Sequence, residues 1–82
     1  MLNGNDNISY EDIIINIKRL ISEKGMKQGA VAERSGFTPQ EFSNLLNDRR
    51  KLLRVEHLLP IADALHVDVN ALFHLPSKKK GE

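Results

Sequence analysis

Gln40, Ser43, Asn44 and Asn47 recur three and four residues apart, a spacing that lines them along one face of a helix. Their amides and hydroxyl are donor and acceptor groups of the kind that read base edges. Glutamine and asparagine can each bond adenine twice, and serine is short and adaptable. Arg49, Arg50 and Lys51 follow almost at once. A basic run beside such a face suits phosphate, where positive side chains add affinity that depends on salt and not on base sequence. On an arbitrary amphipathic helix the same polar face is ordinary solvated surface, and the same basic run an ordinary loop. The elements that must position these groups decide between the two.

The helix that carries the polar face has its start written out. Thr38 is an N-cap, Pro39 stands at the first helical position, and Glu41 completes a capping box. Phe42, Leu45 and Leu46 form a buried stripe on the opposite side, and Asn47-Asp48 stops the helix. Upstream, a short helix is expected from about Gln28 to Ser35, with Val31 and Ala32 inward. Lys27 is a poor N-cap for it, and Gly29 in its first turn costs at most roughly 1 kcal/mol relative to alanine. Gly36 supplies the left-handed turn between the two helices. Two short helices around a tight glycine turn are the sequence form of a helix-turn-helix, whose second helix enters the major groove of DNA.

The rest of the chain supports this unit. Ser9 and Asp12 form a capping box for a first helix from about Tyr10 to Lys24, ended by Gly25. Ile13, Ile14, Ile17, Leu20 and Ile21 give that helix an apolar stripe, while Asn16, Lys18, Arg19 and Glu23 fall elsewhere. A fourth helix is expected over about Val55–Leu65, with Leu58, Ile61, Ala62 and Leu65 inward. Pro60 conflicts with it, so regular helix should begin near His57 or bend near Glu56. His66 takes a helix-end position often held by glycine. Asp68 can cap a short fifth helix, about Val69–Phe73, that buries Leu72 and Phe73, and Pro76 ends the fold. Residues 1–8 are read as a flexible arm, 9–76 as the domain, and 77–82 as a solvated basic tail with Lys78–Lys80. No repeat occurs and nothing alternates as a strand.

Composition excludes several classes. The 82 residues make one domain with one core. No cysteine is present, which excludes disulfides and thiolate metal sites and fits a reducing cytoplasm. The start, MLNGNDN, is no secretory signal, and no apolar run is long enough to cross a bilayer. His57, His66 and His74 lack the spacing of a zinc pair, so no metal or cofactor is expected. No Ser/His/Asp arrangement or phosphate-binding glycine loop suggests an enzyme. The net charge is only +1, but it is unevenly placed. Between residues 27 and 54, Lys27, Arg34, Arg49, Arg50, Lys51 and Arg54 face only Glu33, Glu41 and Asp48, whereas both flanks are slightly acidic. The basic excess is centred on the candidate reading unit.

From about Ile13 to Phe73 the chain resembles the Cro/repressor-type, or XRE, helix-turn-helix family of phage repressors and bacterial regulators. The matching residues are Gln28, Val31-Ala32, Gly36-Phe37, Thr38, Phe42, Leu45 and Asn47. The RRK segment, the I-A-x-A-L pattern at Ile61–Leu65, Val67 and Leu72-Phe73 follow. The resemblance implies an all-α, lambda-repressor-like bundle of about five helices whose third helix recognises double-stranded DNA. It also implies that Gln40, Ser43 and Asn44 face base edges, with Pro39 beside them. Gln28, Thr38, Asn47, Arg49, Arg50 and Lys51 would then hold the backbone. Three departures stand out: Pro39 replaces a donor, Leu46 replaces a polar residue and suggests packing on the fourth helix, and KLLR replaces a proline-containing turn. The expected function is a cytoplasmic repressor, bound as a homodimer to a pseudo-palindrome with half-sites ~34 Å apart. The dimer surface should lie on the fifth helix, Leu75 or the N-terminal arm. The alternative is an antitoxin or protein-interaction module whose DNA binding is secondary.

Overall fold

Ser9 starts the first helix by reciprocal capping. Its hydroxyl accepts the Asp12 backbone N–H at 3.1 Å, and its own N–H donates to the Asp12 carboxylate at 3.2 Å. A computed structural model describes residues 9–73, and every regular element among them is a helix. It comprises α1 (Tyr10–Glu23), α2 (Gln28–Arg34), α3 (Pro39–Asn47), α4 (Val55–Ala64) and a 3-10 helix (Val69–Phe73). The expected N-terminal arm, His74, Leu75, Pro76 and the basic tail lie outside the described residues.

The three α-helices other than α3 end in the same way. After α1, Gly25 N–H donates to the Ser22 carbonyl and Met26 N–H to that of Ile21. After α2, Gly36 and Phe37 donate to Glu33 and Ala32, and after α4, His66 and Val67 donate to Asp63 and Ala62. These are Schellman closures, which need a left-handed residue at the turn. Gly25 (φ 66°), Gly36 (φ 88°) and His66 (φ 59°) provide it. The expected helix ends are each one residue long: Lys24, Ser35 and Leu65 are caps, not helical residues.

Phe42, Ile17, Ile61, Leu65, Leu72 and Val31 are the largest apolar side chains fully withdrawn from solvent, and they join all five elements in one core. α2 packs on α3 and on α4, while the 3-10 helix closes over α1 and α4. Leu53, in the loop before α4, is buried as well.

Three expectations about this framework need correction. Asn16 is fully buried, not on the polar side of α1. Its amide donates to the Leu72 carbonyl at 2.8 Å and its oxygen accepts from Arg19 at 3.4 Å, which ties α1 to the 3-10 helix. Its one-residue neighbour Ile15 is the side left 53% exposed. The last element, a 3-10 helix, spans the expected Val69–Phe73, but it does not bury Phe73. Asp68 starts it, accepting Asn70 N–H on its carboxylate at 3.0 Å and Ala71 N–H on its carbonyl at 2.8 Å. At three residues per turn Val69 and Leu72 stack inward, so Phe73 rotates outward and is 40% exposed instead of buried. Finally, α4 runs unbroken from Val55, so the late start near His57 does not occur. Pro60 removes only the bond to the carbonyl of the exposed Glu56, and His57 N–H closes the first turn on Arg54 at 3.0 Å.

Candidate nucleic-acid interface

α3 is held at its start by the expected capping box. Thr38 Oγ1 accepts the Glu41 N–H at 3.0 Å, and Glu41 Oε1 accepts the Thr38 N–H at 2.9 Å. Phe42, Leu45 and Leu46 anchor its inner side, with Phe37 stacked on Phe42 at 6.1 Å between ring centres. His57 meets Phe37 edge-on at 5.4 Å, and its Nδ1 accepts the Arg54 N–H at 2.9 Å. Leu46 is buried, but it shares a groove of about 480 Å³ with Tyr10, Ile14 and Ile15 of α1. It also belongs to the same core cluster as Leu58, Ile61 and Ala62 of α4.

The structure brings Gln40, Ser43, Asn44 and Asn47 together on the outer side of α3 as two linked pairs. Gln40 Nε2 donates to Asn44 Oδ1 at 3.0 Å, which leaves the Gln40 oxygen and the Asn44 amide hydrogens open. Asn47 Nδ2 donates to the Ser43 carbonyl at 3.0 Å and to Ser43 Oγ at 3.3 Å. The Ser43 hydroxyl accepts there and keeps its own hydrogen to donate. The face presents an acceptor, an amide donor pair and a hydroxyl donor, which is the mixture that major-groove edges require. Intrahelical bonds fix these side chains, so less rotamer freedom is lost when they dock.

Gln28 is exposed at the start of α2, where Lys27 supplies no side-chain cap and the first N–H groups keep no side-chain acceptor. The basic loop is less uniform than its sequence suggests. Arg50 grips Asp48 through Nε (3.0 Å) and a terminal nitrogen (2.9 Å), while its backbone N–H bonds the same carboxylate at 2.8 Å. The guanidinium bonds, then the backbone bond, hold Asp48 down at about 2, and Asp48 in turn raises Arg50. Lys51 turns the other way, onto α1. It pairs with Glu11 at 3.2 Å and lies 5.8 Å from the Tyr10 ring centre. A backbone bond at Glu11 and then Lys51 hold that carboxyl below its usual range. Tyr10 also accepts the Leu53 N–H at 2.8 Å, so it ties the second half of the loop to α1. Arg49 is exposed and makes no ion pair among the described residues.

Sequence reasoning missed Lys18. Its ammonium donates to Asn47 Oδ1 at 2.8 Å, which puts a cation from α1 at the far end of α3. Only the helical register of Ile14, Ile17 and Ile21 could have placed Lys18 off the core, and nothing in the sequence pairs it with a residue 29 positions away. Among the described residues no three metal-capable side chains come together, and no helix is long and apolar enough to cross a membrane.

A glycine-closed helix pair whose second member is capped, anchored and polar on its free side defines a helix-turn-helix DNA-binding domain. The chain belongs to the Cro/C1-type helix-turn-helix DNA-binding domain family, whose model matches residues 16–77. Comparison with curated proteins and with solved structures finds no match to either. The family makes this a DNA-binding protein of the regulator type.

Proposed function

We propose that the protein represses transcription by occupying a pseudo-palindromic operator as a homodimer, with α3 in the major groove of each half-site. The observation that supports this best is the prearranged outer face of α3, where Gln40, Ser43 and Asn44 keep unspent donors and acceptors. In this reading those three contact base edges. Gln28 and Thr38 meet the backbone on one side of the groove and Arg49 on the other, next to Asn47, whose amide is already bonded to Ser43. Arg50 and Lys51 add charge there only by exchanging Asp48 and Glu11 for phosphate.

The homodimer reading draws on a second surface. Val55, Leu58, Leu59, Val69 and Phe73 line an apolar groove of about 530 Å³, and Val55 and Leu59 are 81% and 63% exposed. It shares no residue with the α3 face, so a second copy seated there covers none of the residues assigned to DNA. The same groove favours the alternative, an antitoxin-like module that grips a different protein. Selection of fragments bound from genomic DNA tests the main reading. It predicts an enriched motif of two inverted half-sites about one helical turn apart. A bound pool with no shared sequence would contradict it.

A further inference from the structure

A cation from α1 stands at the end of α3. We infer that Lys18 is the phosphate donor at this position, with Asn47 as the strut that holds it. The inference rests on the DNA-binding reading and concerns which groups make one of its contacts. Asn47 has little left to offer a phosphate, because its amide hydrogens go to Ser43 O and Oγ and its oxygen is occupied by Lys18. Lys18 is exposed and has three N–H groups, of which Asn47 takes one. Its partner is a neutral amide and not a carboxylate, so its charge is uncompensated. None of the ion pairs among the described residues includes it. Two of the three loop cations are by contrast neutralised, Arg50 by Asp48 and Lys51 by Glu11. The uncompensated positive charge beside the end of α3 is therefore Lys18 with Arg49. Through Asn47 and Ser43 the backbone-facing ammonium is also hydrogen-bonded to the reading face, so α1 helps set the register of α3 on the groove.

The test is the salt dependence of binding to a short fluorescent duplex of mixed sequence and to a duplex enriched by selection. Lys18→Gln should weaken both duplexes by the same factor. It should lower the slope of log affinity against log salt by about 0.9, so that affinity lost between 50 and 200 mM salt shrinks about threefold relative to wild type. Lys18→Arg should keep the wild-type slope. Asn47→Ala should keep the slope too, because the charge remains, while weakening binding less than Lys18→Gln. A wild-type slope in Lys18→Gln would overturn the assignment while leaving the DNA-binding reading intact. Wild-type protein that retains neither duplex at low salt would overturn that reading itself.

Discussion

At the residue scale, what distinguishes the basic loop is which of its charges are already spent. Arg49 carries no partner among the described residues, whereas Arg50 is bonded to Asp48 through two nitrogens. Arg49→Ala should weaken binding of all DNA sequences alike and flatten the salt slope by about 0.9, and Arg50→Ala should flatten it less. Titration curves in the two variants check the order. The Asp48 carboxyl gives a second outcome. Its folded pKa of about 2 lies below the ordinary 3.8, so the Arg50 interaction favours the folded form above about pH 4. That contribution is lost as pH falls from 4 towards 2. Carboxyl NMR should find Asp48 titrating near 2, and Arg50→Gln should return it towards 3.8. No change in that midpoint would contradict the pairing.

At the scale of elements, the parts most legible in the sequence were those coded by local chemistry. Ser9–Asp12 and Thr38–Glu41 form the capping boxes their spacing implies, and Gly25, Gly36 and His66 are the left-handed turns. The parts that were not legible depend on contacts far along the chain. Asn16 looks like a surface residue until Leu72 is placed beside it, and Lys18 acquires its meaning only from Asn47. Arg50 and Lys51 read as free cations because neither Glu11 nor the orientation of Asp48 is visible in a basic run. Phe73 was misplaced because a 3-10 turn rotates its side chains differently from an α-helix. Asn16→Ala tests the longest of these ties. It leaves the buried Leu72 carbonyl without its donor and should cost ~1–3 kcal/mol in denaturant unfolding. A loss within the noise of a surface substitution would show that α1 and the 3-10 helix are held by packing alone.

At the scale of the whole molecule, one small core holds two separate faces, the polar side of α3 and the apolar groove of α4 with the 3-10 helix. The first suits DNA and the second a protein surface, here assigned to a second copy. Leu59→Glu should make the protein monomeric in sedimentation and abolish cooperative occupation of paired half-sites, with single half-site binding preserved. A dimer that survives this change would move the interface elsewhere. The central claim is that α3 reads sequence, and re-selection of bound DNA with Gln40→Ala, Asn44→Ala tests it most directly. Each good bidentate base contact discriminates by about 1–3 kcal/mol. The double variant should therefore stay folded, retain salt-dependent binding, and lose preference at the base pairs that those side chains face. An enriched motif identical to the wild-type one would contradict the assignment of that face.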